Sequence, residues 1–205
     1  MKKSKIILIV ICVFIFIYLI GGVSYPYLKK KYGNTTKKEI KSTAQIKGFN
    51  YLLYDNDPII YKNEFKLLKS NLESKKINYE EYAKSISKMF IIDLYNLNGK
   101  KNMYDIGGVE FVYPDAVENY KLNVTNTLYK YMKDNTDGKR KQELPIVKNV
   151  EINNFEDTKF TIGEEEFDGY KIKLNIEYEK DLGYDKEAEV IIVKKDKYLY
   201  VVEKD

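Results

Sequence analysis

The sequence predicts an α+β protein: an N-terminal transmembrane helix, then three helices packed on a curved four-stranded antiparallel sheet. Three observations predict it. Residues 6–20 are apolar without a break, apolar residues then recur at helical spacing from Pro58 to about Lys133, and beyond Gly138 they recur at every second position. Helices first and hairpin-linked strands afterwards describe a domain whose helices cover one face of its sheet.

Ile6 to Ile20, extended by Gly21, Gly22 and Val23, gives 18 residues, just enough at helical rise to reach across a hydrocarbon core. Lys2, Lys3 and Lys5 precede it and favour a cytoplasmic N-terminus, although Lys29, Lys30 and Lys31 on the far side reduce the contrast. The expected organisation is a basic cytoplasmic tail (1–5), a single membrane span (6–23), a polar stalk (24–47) and an extracytoplasmic α+β domain (48–205). A cleaved signal peptide is the alternative, with Gly22-Val23-Ser24 as its small-x-small site. Cys12 lies inside the apolar run, and Ile11 before it is too large for a lipoprotein box, so it reads as a packing residue. The stalk reads as a solvated spacer, with contact of its lysines to anionic headgroups as the alternative.

The domain is expected to open with a short extended segment at Phe49–Tyr54. A first helix follows, with Asp57 as its cap, Pro58 at its first position and Ile60, Phe65, Leu68 and Leu72 as its apolar stripe. The second helix has the better start signal. Asn78 caps it, Glu81 stands three positions later as in a capping box, and Ile77 and Tyr82 form a hydrophobic staple. Tyr82, Ile86, Met89, Phe90 and Leu97 give its apolar face, and Asn98-Gly99 ends it. A glycine-bearing turn at 103–109 leads to a third helix, expected from Pro114 to about Lys133 with Val117, Tyr120, Val124, Leu128 and Tyr131 inward.

Tyr170, Ile172, Leu174, Ile176 and Tyr178 alternate with polar residues and mark the clearest half-buried strand. Further strands are expected at 147–162, 186–194 and 197–203, separated by turns at Gly163–Gly169, Asp181–Asp185 and Lys194–Lys197, which together make an antiparallel meander.

Composition removes most enzyme classes. The 205 residues contain no histidine, no tryptophan and one cysteine, which excludes disulfide frameworks, Cys/His zinc sites and every triad that needs imidazole. The formal net charge is +4, and setting aside the three N-terminal lysines leaves 32 basic against 31 acidic residues. That balance lacks the basic excess of a nucleic-acid binder. No cofactor or metal is expected.

The order of three helices and a four-stranded antiparallel sheet behind one anchor resembles the nuclear-transport-factor-2-like (cystatin-like) cone fold. It looks like the membrane-tethered bacterial versions, including scaffold subunits of type IV secretion and conjugation machines. The likeness covers roughly residues 48–205 and is architectural. The segments Asp105-Ile106-Gly107-Gly108-Val109-Glu110-Phe111-Val112 and Arg140-Lys141-Gln142-Glu143-Leu144-Pro145 also resemble Gram-positive membrane proteins of unassigned activity. The resemblance implies a hollow cone mouth, where some enzymes of the superfamily place Asp, Tyr or His for proton transfer.

Asp93 is therefore the catalytic candidate, since it falls near the apolar side of the second helix, where a desolvated carboxylate would serve as a general base of a lyase or isomerase. It has no histidine partner, and its bland reading is a boundary residue that reaches water. Tyr82, Tyr120, Tyr131, Tyr170 and Tyr178 could line a pocket, but their positions are already required by the core pattern. Glu164, Glu165, Glu166 and Asp168 read as a solvated hairpin loop, lacking the spaced ligands of a calcium site. Lys139, Arg140 and Lys141 read as surface, and Gly107-Gly108 lacks the Lys-Ser/Thr of a phosphate loop. The leading expectation is a non-enzymatic envelope protein making protein contacts or self-associating; the alternative is a module binding a small ligand or peptide in the cone mouth.

Overall fold

The computed structural model describes residues 41–205. The expected membrane span, with the tail before it and the stalk up to residue 40, lies outside the described residues; among those described, no helix is long and apolar enough to cross a membrane. The described chain is α+β, with three helices packed against a four-stranded antiparallel sheet.

The folded unit begins earlier than the sequence pattern predicts. Residues 41–47, expected to end the stalk, instead contribute β1 (Ser42–Gln45), which pairs antiparallel with β2 (Leu52–Tyr54), and Ile46 is fully buried. Ala44 and Ile46 among polar neighbours are too few to make a sustained period, so this strand is nearly silent in the sequence.

Helix α1 (Ile59–Leu72) starts one residue later than expected. Pro58 is the N-cap, and the Asp57 carboxylate folds back to accept the Tyr54 amide at 2.7 Å, so it closes the preceding turn and does not cap the helix. Phe65, Leu68 and Leu72 are buried as expected, joined by Tyr61, while Ile60 is only partly covered.

Helix α2 (Tyr79–Tyr95) begins where the capping signal placed it. The Asn78 side chain accepts the amides of Glu80 (3.0 Å) and Glu81 (3.2 Å). The Glu81 carboxylate does not complete the reciprocal half of the box, because Lys84 takes it at 3.0 Å. Eleven residues of α2 are buried, including Ser85 and Ser87, so nearly its whole circumference is enclosed. A turn of 3-10 helix (Leu97–Gly99) follows it.

Helix α3 (Val117–Asn126), entered through a 3-10 turn at Pro114–Ala116, stops about seven residues short of the expected end. The run Asn123-Val124-Thr125-Asn126-Thr127 is poor in helix formers. Thr127 leaves helical geometry (φ −119°, ψ −92°), and the Tyr129 amide then bonds back to the Val124 carbonyl at 2.9 Å. The break puts Tyr129 into the core, fully buried, with its hydroxyl on the Leu94 carbonyl at 2.8 Å, and leaves the expected core residue Tyr131 79% exposed.

The meander β3 (Val147–Ile162), β4 (Glu165–Tyr178), β5 (Glu187–Lys195) and β6 (Tyr198–Lys204) has strand order β3-β4-β5-β6. The acidic run is not a loop: the β3–β4 turn is only Gly163-Glu164, with φ +64° at Gly163, and Glu165, Glu166 and Asp168 are already strand residues opposite Ile162, Thr161 and Lys159. A glycine at the first central position lets so tight a hairpin close. The inner face, with Ile172, Leu174, Ile176, Val190 and Ile192, packs on α2. On the opposite face, Tyr113, Phe167 and Val193 form a smaller cluster with Phe160, Ile162 and Tyr200. Tyr113 reaches that face because the chain crosses the edge of β6, where its amide bonds the Val201 carbonyl at 3.0 Å.

Three buried groups tie the early chain to the sheet. The Tyr51 and Tyr82 hydroxyls lie 2.6 Å apart, and the Leu199 amide donates to Tyr82 at 3.4 Å. Burial raises the Tyr82 phenol to about 12 and the Tyr51 phenol well above its ordinary range, so both stay protonated donors. Replacing the cap, Asn78→Ala, is expected to destabilise the domain by about 1 kcal/mol, read from the urea midpoint at unchanged slope. Tyr82→Phe strands the Leu199 amide and leaves the Tyr51 hydroxyl only its 3.5 Å bond to the Leu199 carbonyl, and should cost more, about 2 kcal/mol.

Candidate functional site

Asp93 lies on the last turns of α2 with both carboxylate oxygens engaged. Oδ1 pairs with the Lys100 ammonium, and Oδ2 accepts the Gly108 amide at 2.6 Å. Gly107 and Gly108 are pressed onto this helix end. A Cβ on Gly107 would stand 2.0 Å from the Asp93 carbonyl oxygen, and Gly108 holds φ +76° with the Phe90 ring 2.7 Å from where its Cβ would be. Tyr120 donates to the Gly107 carbonyl at 2.6 Å, and Tyr129 accepts the Gly107 amide at 3.3 Å. The carboxylate, two glycines and two tyrosines thus fix the 103–109 turn against α2, and that is the work the geometry gives Asp93.

Beside this node, Glu110 accepts the Tyr61 hydroxyl at 2.5 Å. The residue keeps part of its surface in water, but its carboxyl end is crowded by protein. That desolvation, reinforced by Asp93 and Asp57, pushes it up to about 7, while the hydrogen bonds from Tyr61 and the Leu52 backbone pull the other way. Asp57 is also raised, again chiefly by burial.

Arg140 departs from the surface reading. Its guanidinium donates to the carbonyls of Asn98 (2.9 Å), Lys100 (3.0 Å), Lys133 (3.3 Å) and Leu97 (3.5 Å), which closes the C-terminal end of α2 and the loop after α3. Its neighbours Lys139 and Lys141 are exposed as expected. Five orthodox N–H donors in one plane make this a task for arginine, not lysine.

A separate concavity lies elsewhere. A half-open cleft of about 650 Å³ separates α3 from the end of β6, floored by Phe90, Leu94 and Tyr95 of α2 and by Val124 and Val201. Asn119 and Asn123, one turn apart on α3, and Thr127 just past its end line one wall. The other carries Asp185, Glu203 and Lys204. Asp185 accepts the Tyr95 hydroxyl at 3.3 Å, and the Lys204 ammonium sits 5.4 Å from the centre of the Tyr95 ring. Of the tyrosines singled out from the sequence, only Tyr120 lines this cleft; Tyr82 is in the core, Tyr170 and Tyr178 pack at the sheet, and Tyr131 faces solvent. Asp93 is not among the lining residues.

The cleft offers an apolar floor, two amides, the Asp185 carboxylate and the Lys204 ammonium, while Glu203, opposite Ile191, turns to the other face of the sheet; the set is suited to non-covalent binding. Among the described residues no group of three or more His, Cys, Asp or Glu side chains is placed to hold a metal ion. No protein-family model, no curated protein and no solved structure matches this chain.

Gly107→Ala is expected to cost at least about 2 kcal/mol because the clash is with backbone, whereas Asp93→Asn keeps an acceptor for Gly108 and should cost about 1 kcal/mol; urea denaturation ranks the pair. Because the folded state holds a proton on Glu110 that the unfolded chain releases nearer its ordinary 4.5, the contribution of Glu110 is fully present below that value and is lost as pH rises through about 7. Glu110→Gln should therefore flatten the fall in Tm between about pH 5 and 7, and a variant with the parental slope would show that Glu110 titrates normally. Asp57 moves in the same direction, so Asp57→Asn is the control for its share of the slope.

Proposed function

We propose that this chain is a non-enzymatic, single-pass membrane protein whose extracytoplasmic domain makes protein contacts at the cell envelope, and that the cleft between α3 and β6 is where the contact forms. The observation that carries the reading is the cleft itself: about 650 Å³, half-open, with an apolar floor and polar side chains at its rim. Apolar area there gives affinity on closure, and the rim groups supply orientation. The 18-residue apolar stretch from Ile6 to Val23 supports the tether.

The apolar floor also favours a second reading, in which a small apolar molecule occupies the same cleft. The two separate in one experiment. A photo-crosslinking residue placed at Asn123 of the full-length protein in native membranes is expected to trap a discrete protein adduct, and the same residue at exposed Lys66 on α1 is expected to trap none. Equal, diffuse labelling at the two positions would overturn the contact reading. A co-purifying small molecule in native mass spectrometry, displaced on substitution of Val124 by a bulkier side chain, would establish the second.

A further inference from the structure

The outward face of α1 carries a pattern that folding does not use. Ile59, Lys62, Asn63, Lys66, Leu67 and Ser70 recur at helical spacing on the side opposite the buried Tyr61, Phe65, Leu68 and Leu72. Ile59 is 77% exposed and Leu67 60%, and the two stand about 12 Å apart along the axis. The helix has three lysines, Lys62, Lys66 and Lys69, and one acid, Glu64, which is drawn onto α2 by Lys88 at 3.1 Å. The stripe is therefore apolar and cationic with no anion of its own. Asp55, Asp57 and Glu73 stand beyond its ends, with Asp57 turned to the Tyr54 amide and Glu73 3.9 Å from Lys69. This face adjoins the point where the chain arrives from residues 24–40: the Asp55 amide bonds the Lys41 carbonyl at 3.2 Å, and the Lys62 ammonium donates to the Asp55 carbonyl at 2.8 Å. Those 17 residues reach at most about 60 Å when fully extended. They carry five lysines against one acid, the same sign as the stripe, so both are drawn to one kind of surface.

Resting on the reading of Ile6–Val23 as a membrane span, we infer that this face of α1 docks the domain onto an anionic lipid surface, that of the bilayer holding its own tether. Ile59 and Leu67 enter the boundary between headgroups and acyl chains, and Lys62, Lys66 and Lys69 reach lipid phosphates while their stems lie along the apolar layer. Two aliphatic side chains and three ammoniums would hold a free domain only weakly and reversibly. The tether changes that, because docking becomes an intramolecular event at the effective concentration set by a 17-residue linker. A protein partner fits the face less well, since its apolar residues are two separated side chains and not the contiguous core of an interface. Because α1 packs on α2 and α2 on the inner face of the sheet, docking leaves the outer face of the sheet turned from the bilayer.

The chain has no tryptophan, so Leu67→Trp supplies its only indole. The full-length variant is reconstituted in vesicles of phosphatidylcholine, alone or with about 30% phosphatidylglycerol, containing lipid brominated high in the acyl chain. In the anionic vesicles its emission is expected to be quenched at least about twofold more than that of Asn175→Trp, at an exposed position on the outer face of β4. Quenching should fall to the control level in phosphatidylcholine alone, at high salt, and on the paired change Lys66→Glu with Lys69→Glu. An unchanged Tm separates lost docking from lost fold, and Lys66→Glu alone, at an exposed lysine, gives a second variant if the pair unfolds. Leu67→Trp quenched no more than Asn175→Trp, quenched equally in the two kinds of vesicle, or quenched despite charge reversal would each overturn docking. Resistance of the chain to alkaline extraction reports the tether separately. An embedded chain with an unquenched indole sinks docking alone, whereas an extracted chain sinks the tether reading and docking with it.

Discussion

The enclosure of α2 is the constraint on which the rest of the domain depends. A helix buried on one side needs only an amphipathic stripe, but α2 buries residues around most of its surface, from Tyr82 and Ala83 to Leu94 and Tyr95. It must therefore be walled in on every side. The sheet covers one face, α1 another, and the hairpin of β1 and β2 reaches it through Tyr51. The remaining side is closed by the 103–109 turn, whose backbone lies against the helix at Gly107, and by the Tyr129 side chain. Gly107 is obligatory there for a packing reason: any side chain would occupy the space of the Asp93 carbonyl.

Enclosure also explains where polar groups are concentrated. The C-terminal carbonyls of a buried helix have no water to turn to, so the chain must bring donors to them. Tyr129 supplies one to Leu94, and Arg140 supplies a fork to the carbonyls of Leu97 and Asn98 just beyond the helix. Asp93, which in sequence looks like a chemical group set on an apolar face, belongs to the same system. It receives Gly108 and Lys100 and so anchors the turn that finishes the wall.

What was legible in the sequence was local. The start of α2 could be read because Asn78 and the residues after it carry their own capping chemistry, and β4 could be read because its alternation is long and uninterrupted. The failures have a common cause, which is a distant partner. Tyr61 is buried because Glu110 waits across the fold; α3 stops early because Tyr129, not Tyr131, fits beneath the helix end; and Ala44 with Ile46 just past the strand is all that commits β1 to the core. Arg140 sits in a polar run that looks solvated until four carbonyls converge on it. The cleft could not be read at all, since its walls come from α2, α3, the β4–β5 connection and β6, and its floor residues are ordinary core types.

The two edges of the sheet are handled differently. A free strand edge invites pairing with other chains, and proteins usually blunt it. β3 is blunted along its length: its register against β4 slips twice, between Val147 and Asn149 and between Ile152 and Asn154, and Lys148, Glu151, Glu156 and Lys159 line it with charge. β6 is protected by another device. Its first half is paired with the segment at Val112–Tyr113, and its last three residues lie within a cleft walled by α3. A strand from another molecule can reach them only by fitting between the wall and the edge. That arrangement blocks indiscriminate sheet-to-sheet growth along β6 without the charge and register slips that β3 requires.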